Sequence, residues 1–136
     1  MRFDTKIGIA VRADLAGWQQ LNVTAFLASA VAAGVDGLIG QPYLDGSDNA
    51  YLPMFRQPVL VYAGDAAALG LARCRAMDRG LAVAVYTEDM FRTGNDEDNR
   101  AVVRAVPAGD LCLAGLAAYG PRNAMDKVFK GMSLHS

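Results

Sequence analysis

The chain has 136 residues, of which 53% are apolar and 20% are charged, and its formal net charge is −1. This length and composition predict a single domain over residues 1–136 with a packed core, and they exclude a disordered or fibrous chain. The charge excludes a surface that attracts nucleic acid over its whole extent, and no apolar run approaches the roughly 20 residues of a membrane-spanning helix.

The cysteine and histidine usage predicts a cytoplasmic protein without a metal or nucleotide cofactor. Cys74 and Cys112 have neither paired nor metal-ligand spacing, and no signal peptide precedes them, so we expect two reduced, buried thiols. His135 is the only histidine, and no His/Cys/Asp grouping has zinc-ligand spacing. No glycine-rich phosphate loop joins a strand to a helix, so we expect no cofactor.

The first half of the chain predicts a strand, a helix and a long loop. The apolar run Lys6–Val11 is expected to be a strand buried on both faces. Apolar residues spaced i, i+3, i+4, i+7 and i+8 from Val23 predict a helix, with Asn22 as its N-cap and Gly34 at its end. Residues 40–58 are broken by glycine and proline, which predicts a loop that either covers a site or wraps the domain, with a short hairpin around residues 50–54.

The middle of the chain predicts a strand, a helix and a second strand. Residues 58–63 and 81–86 are short apolar runs, and Asp65 is placed to cap the helix between them, which ends at Gly80. The helix positions expected to face inward are Leu69, Ala72 and Ala76. Short connections of this kind favour a right-handed parallel crossover.

The last third predicts a loop, two helices and a central strand. The acidic residues 95–99 are expected to form a polar loop leading into a short helix over residues 101–106. Residues 111–119 predict a central strand, and a final helix follows from residue 120. Its buried stripe is expected to be Met125, Val128 and Phe129. The tail, residues 133–136, either adds an edge strand or frays.

Polar residues follow two of the predicted strands. Asp89, Arg92 and Thr93 come after residues 81–86, and Arg12 and Asp14 come after the first strand. Open α/β sheets bind ligands beyond the carboxyl ends of their strands, so these groups are expected at one rim. Each of these residues has a structural alternative to a role in a site. Asp89 with Arg92, and Arg12 with Asp14, can form ion pairs that only brace their loops, and Thr93 can be a turn or helix-cap residue.

The order of three short motifs resembles the second class of peptidyl-tRNA hydrolases. They are Ile9-Ala-Val-Arg12-Ala-Asp14-Leu15, Asp89-x-x-Arg92-Thr93, and Gly120-Pro121 followed by Asp126-Lys127-Val128. The resemblance covers most of the chain and is weakest over residues 36–58 and 94–110, where the chain carries insertions. The chain also resembles a bacterial family of uncharacterised domains grouped with those hydrolases. The resemblance implies an α/β fold with three α/β/α layers and a mixed, mostly parallel sheet, a homodimer, and hydrolysis of the ester that joins a peptide to tRNA.

The resemblance also implies catalysis by a lysine at the start of the first helix, together with an aspartate and a threonine of a later loop. Asp89 and Thr93 match the last two. The lysine position holds Asn22, with Gln20 as the only nearby polar substitute, and Phe26 stands where the family has a glutamine. An amide does not stabilise developing negative charge as an ammonium does, and losing one such donor commonly costs ~10²- to 10³-fold in rate. With the net acidic chain, this argues against tRNA as a partner.

The first hypothesis is therefore an α/β domain that binds or hydrolyses a small polar ligand. Its candidate catalytic residues are Asn22, Asp89 and Thr93, and its candidate ligand-binding residues are Arg12, Asp14, Gln20 and Arg92. One alternative is an active peptidyl-tRNA or acyl-ester hydrolase in which another lysine, such as Lys6, replaces the missing one. The other is a non-catalytic dimeric module that binds a protein partner.

Overall fold

The computed structural model describes residues 2–136, which contain seven strands and four helices. The strands are β1 (Thr5–Arg12), β2 (Tyr43–Leu44), β3 (Ala50–Tyr51), β4 (Val59–Gly64), β5 (Ala82–Thr87), β6 (Leu113–Pro121) and β7 (Ser133–Leu134). The helices are α1 (Gly17–Gly34), α2 (Ala66–Asp78), α3 (Asp96–Arg104) and α4 (Arg122–Val128). A 3₁₀ turn, Glu88–Arg92, joins β5 to the segment before α3. Among the described residues, no helix has the length and apolar character that crossing a bilayer requires.

Five strands form a mixed sheet in the order β5-β6-β1-β4-β7. Only the pair β1–β4 is parallel, and the other three neighbouring pairs are antiparallel, so the prediction of a mostly parallel sheet is wrong. The strands β4 and β5 run in the same direction, as predicted, but they are not neighbours. Helix α2 carries the chain past β1 and β6, because β6 enters the sheet between β1 and β5 from the opposite direction.

Apolar side chains cover both faces of the sheet, which confirms the predicted burial of β1. On one face, Ile7, Ile9 and Val11 pack with the inward stripe of α1, Val23, Leu27 and Val31. On the other face, α2 and α4 pack through the predicted residues Leu69, Ala72, Ala76, Met125, Val128 and Phe129. Alternation of side chains along each strand produces the two cores. The fold is thus α/β with helices on both sides of the sheet.

The first helix begins earlier than its periodicity predicts. Helix α1 starts at Gly17 with Ala16 as its N-cap, so the prediction of Asn22 as the cap is wrong. The backbone N–H of Ala16 donates to Gln19 Oε1 at 3.0 Å. Val23 is the first fully buried position of α1, and the apolar period therefore starts one and a half turns inside the helix.

Three further predictions need correction. Residues 95–99 are not a loop, because Asn95 caps α3 by accepting from the Asp98 N–H at 2.8 Å and the acidic residues form its first turn, where the helix dipole favours them. Cys74 and Cys112 are free, as predicted, but both are exposed. The hairpin lies earlier than residues 50–54, pairing β2 with β3.

The turn residues around α2 and the tail agree with the sequence. Asp65 caps α2 by accepting from the Ala68 N–H at 2.8 Å, and Gly80 follows the helix with a φ of +66°. The tail forms the edge strand β7, which pairs with β4.

Candidate functional site

A cleft runs between α1 and α3, with β5 at its base. Its first part is a cavity of about 380 Å³, here called the polar cavity, to which Asn22 of α1 and Thr93, Asn95 and Asn99 contribute. Its second part is a space of about 760 Å³, here called the apolar groove, lined mainly by small and aliphatic residues of α1 and by Val103 of α3. The two parts share the lining residues Phe26, Tyr86, Met90, Asp96 and Asn99, so they form one continuous cleft.

The 3₁₀ turn after β5 fixes the position of Thr93. Its hydroxyl donates to the Met90 carbonyl at 2.9 Å and also contacts the Asn99 side-chain amide. A hydroxyl has one proton to donate, so Asn99 is best oriented with its NH₂ group toward the Thr93 oxygen. Thr93 is therefore held from two sides, and among the described residues no histidine or lysine lies beside it to act as a base.

Asp89 and Arg92 pair with each other within the same turn. Arg92 donates to Asp89 Oδ1 at 2.5 Å. The Asp89 side chain is 44% exposed and the Arg92 side chain is 73% exposed. Neither residue lines the polar cavity or the apolar groove. The contact has the geometry of the loop-bracing alternative, and exposed pairs of this kind contribute little stability.

Arg12 lies at a different place, in a group that we call the Arg12 cluster: Arg12, Asp14, Glu88 and Cys112. The nearly buried guanidinium donates to Asp14 Oδ1 at 2.7 Å, to Glu88 Oε2 at 3.1 Å and to Cys112 Sγ at 3.4 Å. The thiol of Cys112 donates to the same Glu88 oxygen at 3.0 Å. These contacts tie the end of β1 to the end of β5 and the residue before β6.

The electrostatics of the Arg12 cluster follow from these bonds. The hydrogen bond to Asp14 raises the pKa of Arg12, against the effect of burial. The hydrogen bond from Cys112, together with Arg12, lowers the pKa of Glu88, and the same carboxylate raises the pKa of the Cys112 thiol. The resting state is thus a thiol, a carboxylate and a guanidinium. A separate cavity of about 590 Å³ opens beside Arg12, Asp14 and Glu88.

Gln20 lies on another side of α1 from Asn22. Two residues along a helix correspond to a rotation of about 200°. Gln20 donates to the Leu15 carbonyl at 3.0 Å, which closes the turn between β1 and α1, and its Oε1 contacts His135 Nε2 at 2.5 Å. The predicted site residues therefore separate: Asn22 and Thr93 share a cavity, whereas Arg12, Asp14 and Gln20 lie outside it.

No lysine lines the cleft among residues 2–136. Lys6 pairs with Asp126 at 2.5 Å and lies at the start of β1, six residues and roughly 20 Å from the strand end at Arg12. Lys6 lines a different cavity, so the structure does not agree with the alternative in which Lys6 replaces the missing lysine. The cations that border the cleft are Arg100 and Arg104.

Sequence reasoning missed Glu88, Cys112, Asn95 and Asn99. Glu88 could have been found, because it follows β5 directly and the end of a strand is where polar groups of a site are expected. Asn99 could not, because its place in the cleft depends on the helix that was predicted as a loop. Within residues 2–136, no group of three or more His, Cys, Asp or Glu residues is arranged to hold a metal ion.

Comparison with known proteins gives a family without an assigned activity. A solved structure of a protein of unknown function from Agrobacterium tumefaciens is similar with a TM-score of 0.96 and 42% identity, covering 99% of this chain and 100% of that one. No curated protein matches the chain. A family profile described as a protein of unknown function, DUF2000, matches residues 5–136, which confirms the expected kinship with uncharacterised domains. The chain belongs to the DUF2000 family.

Proposed function

We propose that the cleft binds a small neutral ligand that carries a polar group on an apolar body. The observation that supports this most directly is the continuity of the polar cavity with the apolar groove. Ligand sites are typically concave and mostly apolar, with a few placed polar groups that orient the ligand. The proposal includes the three-layer arrangement that the resemblance to peptidyl-tRNA hydrolases II implies. In that arrangement, too, the site lies between the start of the first helix and a later loop.

The polar end of the ligand would meet Asn22. Asn95 uses its side chain to cap α3, and Asn99 is engaged with Thr93. Asn22 is half-buried and makes no side-chain hydrogen bond to the rest of residues 2–136. An amide in this state offers two donors and an acceptor, and a ligand carbonyl or amide would satisfy them.

The apolar body would lie against aromatic rings and then extend into the apolar groove. The Phe26 and Tyr86 rings meet edge to face at 5.7 Å, and the Tyr86 and Phe91 rings lie 5.2 Å apart. Trp18 continues this row through an edge contact with Phe91 at 6.4 Å. Beyond the rings, the groove is walled by Leu27 and other aliphatic residues.

The charges near the cleft favour a neutral ligand. Asp96 and Arg100 both line the groove, but they pair with each other one turn apart on α3. Arg104 lines the apolar groove and not the polar cavity, whose described lining contains no arginine or lysine. A carboxylate or ammonium in the polar cavity itself would therefore find no free counter-ion there and would lose its hydration. The Thr93 hydroxyl donates its proton to the Met90 carbonyl and not to a carboxylate or imidazole, so the geometry supports binding rather than attack on an ester.

Binding can be tested with N-acylglycinamides of increasing acyl length, from acetyl to decanoyl, by calorimetry and thermal stabilisation. Each added methylene should improve the affinity by up to about fourfold, which corresponds to ~0.8 kcal/mol, until the groove is filled. Asn22→Leu should abolish the binding, whereas Asn123→Leu, an exposed position on α4, should not. Affinities that do not depend on acyl length, or that survive in Asn22→Leu, would contradict the proposal.

The hydrolase alternative is tested in the same samples. Turnover of the matching acyl p-nitrophenyl esters that is lost in Thr93→Val would favour an ester hydrolase. Background hydrolysis that is equal in the two proteins would reject it.

A further inference from the structure

A cavity of about 380 Å³ opens at the end of the sheet opposite to the cleft and the Arg12 cluster. It lies where β1 and β4 begin, whereas Arg12 and Thr93 follow the carboxyl ends of β1 and β5, and these three strands run in the same direction. A strand of this length spans roughly 25 Å, so a small ligand bound here would not reach the cleft. We call this space the basic cavity, and its lining residues are Arg2, Phe3, Thr5, Lys6, Gln57, Pro58, Leu60 and Arg122.

The charged side chains of the basic cavity are all cations. They are Arg2, Lys6 and Arg122, and the described lining contains no aspartate or glutamate. The whole chain has 14 acidic and 13 basic residues, so three cations without a carboxylate depart from its average composition. The cavity beside Arg12, in contrast, is lined by three carboxylates and one guanidinium. The basic cavity therefore has the electrostatic character of an anion site.

Two of the three cations have no carboxylate partner in the described part of the chain. Neither Arg2 nor Arg122 forms an ion pair within residues 2–136. Lys6 does: its ammonium pairs with Asp126 of α4 at 2.5 Å, and its side chain is only 18% exposed. With Asp126 included, the three cations leave two net positive charges. An anion bound among them would offset their mutual repulsion.

Arg122 is held at the basic cavity with most of its donors unused. Its backbone N–H donates to the Asp4 carbonyl at 3.0 Å, and its Nη1 donates to the Phe3 carbonyl at 3.2 Å. These bonds fix the guanidinium against the segment before β1. A guanidinium has five N–H donors, and one of them serves Phe3, so four have no acceptor within residues 2–136. This planar fork matches two oxygens of one phosphate group.

We propose that the basic cavity binds a phosphomonoester, a small molecule that carries a phosphate group on an apolar or aromatic body. A phosphomonoester has a charge of about −1.5 to −2 at pH 7, which matches the two net positive charges of the cavity. A carboxylate or a sulfate ester has only a single charge. The apolar lining residues Phe3, Pro58 and Leu60 provide a surface for the body of the ligand, which inorganic phosphate would leave uncovered.

Backbone amide NMR with phenyl phosphate as the ligand measures both the place and the affinity of binding. The amides of Thr5, Gln57 and Leu60 should shift, whereas those of Asn22 and Thr93 in the cleft should not. Inorganic phosphate should bind more weakly because it buries no apolar surface, and phenyl sulfate should bind more weakly because it has one charge. Absence of binding, or shifts confined to the cleft, would overturn the proposal. Equal affinities for phenyl phosphate and inorganic phosphate would assign the cavity to the free ion and would also overturn it.

Charge substitutions test the cations in two opposite directions. Arg122→Gln should weaken phenyl phosphate binding by roughly tenfold or more, as expected for a lost hydrogen bond between charged groups, and Arg2→Gln should weaken it at an exposed position where folding is not at risk. Asp126→Asn should strengthen the binding, because it releases Lys6 from its carboxylate partner, and damage to the fold would not produce such a gain.

Lys127→Gln is the matched control for these variants. It removes one positive charge from an exposed position of α4 outside the basic cavity, where salt screens the charge, so the affinity should change little. A loss in Lys127→Gln equal to that in Arg122→Gln would overturn the proposal, because binding would then follow the total charge of the protein. Unchanged or weaker binding in Asp126→Asn would overturn it as well.

Discussion

Gly115 holds α1 close to the sheet, and replacing it with alanine should destabilise the fold. A Cβ at this position would lie 2.6 Å from Val23 Cγ1, 2.9 Å from Leu27 Cδ1 and 2.9 Å from the Ala10 carbonyl oxygen. The carbonyl belongs to β1, which is paired on both sides, so it cannot retreat without breaking the sheet. The helix must move instead, and overpacking of this kind costs about 1–3 kcal/mol, with the upper end expected because one contact is to backbone.

Urea denaturation followed by circular dichroism measures this cost. Gly115→Ala should lower the urea midpoint by about 1 M or more at an unchanged slope. Gly70→Ala is the control: no atom lies within 4 Å of the added methyl group, and an alanine inside α2 should stabilise by about 0.5–1 kcal/mol. Because Val23 adjoins Asn22, Gly115→Ala should also weaken acylglycinamide binding. A Gly115→Ala protein as stable as the wild type would refute the close packing of α1 on β6.

Two further predictions concern the end of β4 and the Arg12 cluster. Asp65→Ala should cost about 1 kcal/mol by urea denaturation, since it removes the acceptor of the Ala68 N–H at the start of α2; no loss would mean that the cap contributes nothing. The lowered pKa of Glu88 adds stability that is present above the unfolded-state pKa of about 4.3 and is lost as the pH falls through the lower folded-state value. Glu88→Gln should therefore be less stable than the wild type at neutral pH, and the difference should shrink in acid; a difference independent of pH would contradict the role given to the bonds from Cys112 and Arg12.

The helices and strands could be predicted from the sequence where burial alone determines the spacing of their apolar residues. The inward residues of α2 and α4 follow from helical spacing, and the apolar runs of β1 and β6 follow from burial on two faces. The same apolar run is compatible with either strand direction, so the sequence of β6 did not indicate that it runs antiparallel to both neighbours. Strand order is set by long-range contacts that local periodicity does not contain.

The candidate site was predicted in part because two different signals were combined. Motif order placed Asn22 and Thr93 together, and they do line one cavity, although 71 positions separate them. The rule that polar groups gather at strand ends placed Arg12 with Thr93, but the structure puts Arg12 in its own cluster. A position at the end of a strand does not reveal which face of the sheet a side chain occupies. Arg12 is two residues after Ala10 and therefore lies on the face covered by α2, whereas the cleft lies on the face covered by α1.

The composition of α1 is explained in part by the use of two of its sides. One side carries the core residues Val23 and Leu27, and a second carries Asn22 and Phe26 of the cleft. A charge on the first side would be buried, and a charge on the second would face the cleft for which we propose a neutral ligand. Asn22, at the position of the lysine in the hydrolases that the chain resembles, is then one instance of the absence of charged residues from Leu15 to Val35. The proposed neutral ligand agrees with that absence, whereas a site for the phosphates of tRNA would favour cations.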